Sequence, residues 1–465
     1  MAHALDGLGI EHFLIVEKAA SAGGTWRDNR YPGAACDVPS HLYSLSFAAN
    51  PNWSRLFPRQ KEILDHLQRT AAPWIARDRI RFGWSLRSLR WDADARLWHI
   101  ESSGGERLQA RHVVTAMGGL HVPGWPDIAG RDLFAGQQCH SARWPDDLAV
   151  AGKRVGVIGT GTSAIQLVPE LARDAAALHV FQRTPVWILP RRDRAIPRWL
   201  QRVFAAMPPL RLALRGALYV MLESMSITLL RPRMAFAARA MARRHLRSQV
   251  LDPRLRAQLQ AHYPIGCKRI ALSDDYYPAL SRPNVQLDTA AIEAIERDGV
   301  RMADGRRIAL DVLVFATGFR PLDVLSGIEI LGRDAESLAS RWADRPRTAN
   351  GIAVPGFPNL FFLLGPNTAL GHNSVLYMIE SQARHVAGLI GRARRAGKSC
   401  IEATEAAEAR FIHDIDTAFP RTAWAGGCSS WYVDRQGRNI ALWVGPSWAY
   451  RLRLRRALKR DYRID

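Results

Sequence analysis

Gly159-Thr160-Gly161-Thr162-Ser163-Ala164 stands directly after the apolar run Arg154–Ile158, and Ala164–Leu171 continues at helical spacing. Strand, GxGxxA turn and helix in that order form the entry to a dinucleotide-binding βαβ unit. The first glycine permits the tight turn, the second lets the backbone approach a pyrophosphate, and a small third residue lets helix and strand pack closely. The helix N-terminus then presents its unpaired amides to the anion. The next strand, Leu178–Phe181, runs into Gln182-Arg183-Thr184. An acid there would hold the ribose hydroxyls of NAD. A cation and a hydroxyl suit a 2′-phosphate instead, so NADP is expected, with a solvated arginine as the plainer alternative.

His12–Glu17 reads as a second buried strand, and it ends in an acid. Glu17 is placed to accept ribose hydroxyls of an adenine dinucleotide that lacks a 2′-phosphate, which implies two cofactors. The matching phosphate turn is missing. Gly159 precedes Arg183 by 24 residues, whereas only 16 residues stand before Glu17. Met1–Leu8 reads as the back half of the helix that follows such a turn. The expectation is therefore a fragment or a gene start assigned too late, or else a real loss that would abolish tight cofactor binding.

Charge and cysteine usage narrow the classes further. The 64 basic and 43 acidic residues leave +21, which invites a nucleic-acid reading. Only six of the 64 are lysines and the other 58, arginines, are spread over the whole length, so no nucleic-acid partner is expected. Denser basic patches at Arg231–Arg247 and Arg451–Arg463 suit weak attraction to an acidic surface. The most apolar stretch, Leu210–Leu230, is broken by Arg211, Arg215 and Glu223, so no integral membrane segment is expected. Cys36, Cys139, Cys267, Cys400 and Cys428 are odd in number, far apart and never in CxxC, which argues against disulfides and against a metal site. Without a basic start and apolar run at the N-terminus, the chain reads as cytoplasmic.

Between the two dinucleotide-binding units, Ile80–Ser102 has the alternation of a strand pair, Val113–Ala116 reads as a strand, and Pro123, Pro126 and Gly130 mark a linker. From Ile196 to about Ala261 apolar residues recur at helical spacing around Pro208-Pro209, a helical insertion. Val312–Phe315 is a short strand. Val375, Met378, Ile379, Val386, Leu389 and Ile390 share one face of a later helix, as core residues do.

Phe134-x-Gly136-xxx-His140-xxx-Trp144 has a spacing that no turn or helix rule generates. It resembles the FxGxxxHxxxW signature of Baeyer-Villiger monooxygenases, flavoproteins that use NADPH and O2 to turn ketones into esters or lactones. Gly23-Gly24-Thr25-Trp26, Tyr31-Pro32-Gly33, Cys36-Asp37, Leu42-Tyr43-Ser44, Gly266-Cys267-Lys268-Arg269, Ala316-Thr317-Gly318-Phe319, Gly365-Pro366-Asn367 and Ser430-Trp431-Tyr432 agree with it in order along the chain. The resemblance implies FAD held by Glu17, Thr25, Trp26, Asp28, Asp37 and Tyr43, with Leu86 as an adenine-side backbone contact. It implies NADP held by Gly159, Thr160, Gly161, Thr162, Ser163, Ala164, Ile165, Arg183 and Thr184, with Lys268 as a second phosphate cation and Trp431 on a loop over the nicotinamide. Arg269 matches the active-site arginine and Asp37 the carboxylate that orients it, while His140 and Trp144 lie on the linker and couple domain movement to the reaction.

In that reading NADPH reduces the flavin, O2 adds to give a peroxyflavin, and Arg269 stabilises negative charge as oxygen is inserted beside a ketone carbonyl. The expected fold is α/β, with two nested Rossmann-like dinucleotide-binding domains and a helical insertion in the second. Residues 1–145 and 325–465 form the FAD domain, and 146–324 the NADP domain, with the insertion at about 196–261. Oxidation of sulfur or nitrogen by the same cofactors is one alternative. A noncatalytic NADP-binding remnant without flavin is another, motivated by the missing turn.

Overall fold

The computed structural model describes residues 1–321, 323–428 and 430–465. Helix α1 (Ala2–Asp6) leads to strand β1 (Ile15–Glu17), the short helix α2 (Thr25–Asp28) and the longer α3 (Gln60–Ile75). β2 (Ile80–Phe82) lies parallel to β1, with Glu17 opposite Phe82. β3 (Leu86–Asp92), β4 (Leu97–Ser102) and β5 (Arg107–Ala110) form an antiparallel meander, to which strand Glu329–Leu331 adds in parallel beside β3. The expected strand pair is the β3–β4 hairpin, closed around fully buried Leu89 and Trp98. β6 (Val113–Thr115) pairs with Leu360–Phe362.

The second unit is a five-stranded parallel sheet. Its order is Val285–Asp288, β9 (Ala177–Phe181), β8 (Arg154–Ile158), Val312–Phe315 and β7 (Gln137–His140). α4 (Thr162–Asp174) carries the chain from β8 to β9. Ala164, Leu167, Val168 and Leu171 recur at spacings of three and four and are all but fully buried, so one helix face seals one side of the sheet. Val155, Val157, Val312 and Val314 meet it from below as β-branched residues suited to a strand buried on both faces. β7 stands in this sheet although it precedes residue 146, because Gln137–His140 pairs in register with Val312–Phe315. The insertion comprises α5 (Arg198–Ala206), α6 (Pro208–Leu230), α7 (Phe236–Gln249) and α8 (Pro253–Leu259), close to the expected limits.

Two features go beyond the expectations. The first nested sheet is split: β1–β2 and β6–Leu360–Phe362 are separate two-stranded ribbons, and one edge of β1 and one of β6 lack a strand partner among the described residues. Leu14 and Val16 beside that edge are exposed, where a complete doubly covered sheet would bury them. The second concerns Leu210–Leu230. α6 has 23 residues, mostly outside the core, and by length and composition alone it is long and apolar enough to cross a membrane. Arg211, Arg215 and Glu223 interrupt the apolar sequence without shortening the helix.

The two units lock together at Gly33. Its φ is +81°, and a Cβ there would lie 2.4 Å from the Gln166 carbonyl oxygen on α4. Gly33→Ala should therefore lower unfolding stability by roughly 2 kcal/mol or more, from the left-handed backbone and the backbone clash together. A thermal or denaturant melt checks this; an unchanged midpoint would mean the two units do not meet there.

Candidate functional site

The glycine turn after β8 is shaped for a phosphate. Gly159 has φ +110° and a Cβ there would lie 2.5 Å from the Ala316 carbonyl oxygen, so only glycine fits. Gly161 caps α4 without any side chain satisfying the first-turn amides, and a Cβ on it would meet nothing within 4 Å. Open approach and unpaired amides are what a pyrophosphate needs. Thr160 Oγ1 donates to the Thr184 carbonyl at 2.9 Å, tying the turn to the end of β9. Thr162 and Ser163 stand in the first turn of α4, while Ala164 and Ile165 turn their side chains into the core and serve the site through backbone.

Arg183 is exposed just beyond β9. Burial and the nearby Arg183 charge lower the pKa of Lys268. No carboxylate forms an ion pair with either cation among the described residues. Two like charges held together without a counter-charge make an anion site, and the 2′-phosphate fits it. Lys268 Nζ also sits 5.4 Å from the centroid of the Tyr263 ring.

Glu17 ends β1 as expected. Its Oε1 accepts from the Ala19 amide at 2.9 Å and faces Arg27 Nη1 at 3.4 Å, while Oε2 has no hydrogen-bond partner among the described residues. That free oxygen fits a ribose hydroxyl. Trp26 Nε1 donates to the Tyr43 hydroxyl at 3.0 Å, and Gln60 Nε2 donates to the Trp26 carbonyl. Thr25 and Asp28 open and close the same short helix, and Asp28 accepts from Arg27 Nε at 2.8 Å. The ribose and flavin ends of FAD thus fit the residues present. For its phosphates, no glycine turn between strand and helix stands ahead of Glu17 among the described residues. Leu86 opens β3 and packs with the meander cluster, two residues beyond Trp84, whose amide donates to the Glu17 carbonyl.

Arg269 and Asp37 come together from 232 residues apart: Arg269 Nε and Nη2 donate to Asp37 Oδ2 at 3.0 and 2.6 Å. Asp37 holds the guanidinium above its ordinary pKa against the opposing effect of burial, so it stays charged at any working pH. The Arg269 side chain remains 39% exposed, leaving N–H groups open to a ligand. Tyr432 lies buried beside it, its phenol pushed up by burial. Trp431 is exposed and stacks edge-on against Tyr432 at 4.6 Å. The structure also overturns the expectation of unpaired cysteines: Cys267 and Cys428 form a disulfide with Cα atoms 6.0 Å apart. Spacing could not reveal it, because the bridge joins two loops separated by 161 residues.

His140 ends β7, fully buried, with Nδ1 accepting from the Ala142 amide at 3.1 Å and its ring edge-on to Trp125 and Phe319. Trp144 packs in the core of the second unit, and its carbonyl accepts from Arg30 Nε at 3.1 Å. The residue that sequence reasoning missed is Gln166, whose Oε1 accepts from the Tyr31 hydroxyl and whose Nε2 donates to the Ala35 carbonyl, both at 2.9 Å. Its one signal was position, two residues after the GxGxxA turn. Arg191, which donates to the Cys36 carbonyl at 3.1 Å and stacks on Phe57, carried none.

Comparisons with known proteins agree with this geometry. Residues 1–206 match the family of pyridine nucleotide-disulphide oxidoreductases, and residues 111–321 match the flavin-binding monooxygenase-like family. A Baeyer-Villiger monooxygenase of Pseudomonas aeruginosa is 41% identical over 454 residues, covering 97% of this chain and 86% of its own. A Rhodococcus cyclohexanone monooxygenase solved with NADP+ is 28% identical at a TM-score of 0.90, covering 100% of this chain and 96% of its own. The OTEMO complex with FAD and NADP is 28% identical at 0.89, with the same coverage.

Burial pulls the His140 pKa down from 6.5 to about 4. The unfolded chain takes up this proton at a higher pH than the folded one, so stability is lost as pH falls from 6.5 to 4, by about 3 kcal/mol at most for this residue. His140→Asn should flatten that part of the pH–stability profile, and denaturant melts at pH 7 and pH 5 would show it.

Proposed function

Because this chain belongs to the Baeyer-Villiger monooxygenase family, we propose that it is an NADPH-dependent flavin monooxygenase that inserts oxygen beside a ketone carbonyl, giving an ester or lactone. The observation that carries this reading is the Arg269 guanidinium, fixed by two hydrogen bonds to Asp37 while still partly exposed. Bound FAD, once reduced by NADPH, would activate O2 for the insertion. The chain supplies the rest. Gly159–Ser163 and the uncapped start of α4 hold the pyrophosphate of NADP, and Arg183 with Lys268 holds its 2′-phosphate. Glu17 accepts the ribose of FAD, with Thr25, Trp26, Asp28 and Tyr43 toward the flavin and Leu86 toward the adenine.

Arg269 acts on charge. As a ketone carbonyl is attacked, negative charge builds on its oxygen, and a prefixed cation in a water-poor site stabilises it without reorganising. Asp37 orients that cation and compensates it when solvent is excluded. Trp431 covers the nicotinamide side, and His140 and Trp144, buried between the units, transmit their relative movement. Residues 1–145 and 325–465 serve FAD and 146–324 serve NADP, with β7 lent to the second sheet. The cytoplasm, which supplies NADPH, is the compartment this chemistry suits.

Colour tests the flavin: the purified protein should be yellow with bound FAD, and a colourless protein that still binds NADPH would count against the enzyme.

Arg269→Ala should cut ketone-dependent ester formation by about 10² to 10³ while NADPH still reduces the flavin. Ester formation near the normal rate would remove Arg269 from the mechanism. Arg183→Ala should weaken NADPH by roughly tenfold or more and leave NADH nearly unchanged, since only NADPH loses a charge-assisted hydrogen bond. Equal losses in a binding titration with both nucleotides would count against phosphate recognition there.

A further inference from the structure

Helix α6 carries its charges inward and its apolar side chains outward. Arg211 Nη1 donates to the Phe204 carbonyl at 3.3 Å, and Arg215 Nη1 donates to the carbonyls of His41 and Ser44, both at 2.9 Å. Glu223 accepts from Asn373 Nδ2 at 2.7 Å and from the Ser447 amide at 3.2 Å, and the Tyr219 hydroxyl lies 2.9 Å from Ser447 Oγ. The outer face instead shows Leu210, Leu212, Val220, Met221, Met225 and Ile227, with Leu212 68% and Val220 65% exposed. None of the helix's exposed residues is charged.

Trp199 of α5, which packs on α6, and Phe236 at the start of α7 are exposed as well. Residues 199–241 hold 11 of the 23 large apolar side chains exposed among the described residues. A patch of this kind is an interaction surface. Its rim is cationic: Arg198 and Arg202 on α5 and Arg231 and Arg233 after α6 are exposed and make no ion pair among the described residues, and both of these elements pack on α6. Over residues 198–247 there are ten arginines and one acid, the inward-bonded Glu223.

We propose that this face docks on an anionic lipid bilayer, with α6 lying in the plane of the interface, its apolar side chains at the acyl boundary and the arginines among the headgroups. Apolar centre, cationic rim and long helix are the elements of an interfacial anchor. A second copy of the chain fits poorly, because a two-fold contact would bring one cationic rim against the other. Spanning fits poorly as well, because Arg215, Tyr219 and Glu223 would have to leave their partners for hydrocarbon. The docked helix also reaches the reaction centre: a Cβ at Gly266 would lie 2.5 Å from Leu229 Cδ2 of α6, three residues before Arg269. The surface that meets lipid thus backs the loop that carries the active-site guanidinium.

Vesicle flotation of the purified full chain tests this. At low salt it should float with vesicles of phosphatidylcholine and phosphatidylglycerol, at least tenfold less with phosphatidylcholine alone, and alkaline carbonate should strip it. Leu212→Glu with Val220→Glu should lower the bound fraction at least tenfold while the unfolding midpoint holds. Arg198→Glu with Arg233→Glu, which removes rim charge without touching packing, should lower binding to the anionic vesicles selectively. Absence of flotation with anionic vesicles overturns the proposal, as does flotation indifferent to both double variants. Resistance to carbonate would overturn it in favour of a spanning helix, and a dimer that Leu212→Glu with Val220→Glu dissociates would overturn it in favour of a second copy.

Discussion

The pair of hydrogen bonds from Arg269 to Asp37 fixes the relation of two loops that are remote in sequence, and the rest of the site is arranged around it. Half-exposed, the pair contributes little to stability, since solvent screens it and ordering both side chains has an entropic cost. Its value is geometric. One carboxylate oxygen engages two nitrogens of the guanidinium fork, which sets the plane of the group while leaving part of its donor edge free. Arg191 holds the Asp37 loop from behind through the Cys36 carbonyl, and buried Tyr432 closes the other side. The guanidinium is therefore placed before any ligand arrives, which is the condition for electrostatic stabilisation without reorganisation.

Several motifs legible in the sequence act as joints. Tyr31 and Gly33 dock onto α4 through Gln166, Arg30 donates to the Trp144 carbonyl, and Arg143 lies 3.9 Å from Asp28. The Gln166 contacts cross from one dinucleotide-binding unit to the other, and the other two tie the segment before β8 to the first unit. A reaction that passes electrons between two cofactors held by different units needs their separation controlled, and a junction of this kind sits where that control would act.

What the sequence made legible was local. β8 and the strand Val312–Phe315 appear with the limits read from their apolar runs, because a strand buried on both faces is a short hydrophobic block bounded by turns. The GxGxxA turn, Arg183 and the helical insertion were legible for the same reason. What escaped depended on contacts between distant segments. The partners of β1 and β6 cannot be deduced from their own residues, so their pairing was not legible. The arginines and glutamate of α6 read as interruptions of an apolar run, whereas their carbonyl, amide and hydroxyl partners come from residues 41, 44, 204, 373 and 447. Gln166 and the Cys267–Cys428 bridge likewise take meaning only from their partners in space.

That bridge has a mechanical consequence. Arg269 stands two residues beyond one sulfur and Trp431 three beyond the other, so a single crosslink tethers the two segments. Whatever either segment does, the tether caps how far the chain bearing Trp431 can part from the chain bearing the guanidinium.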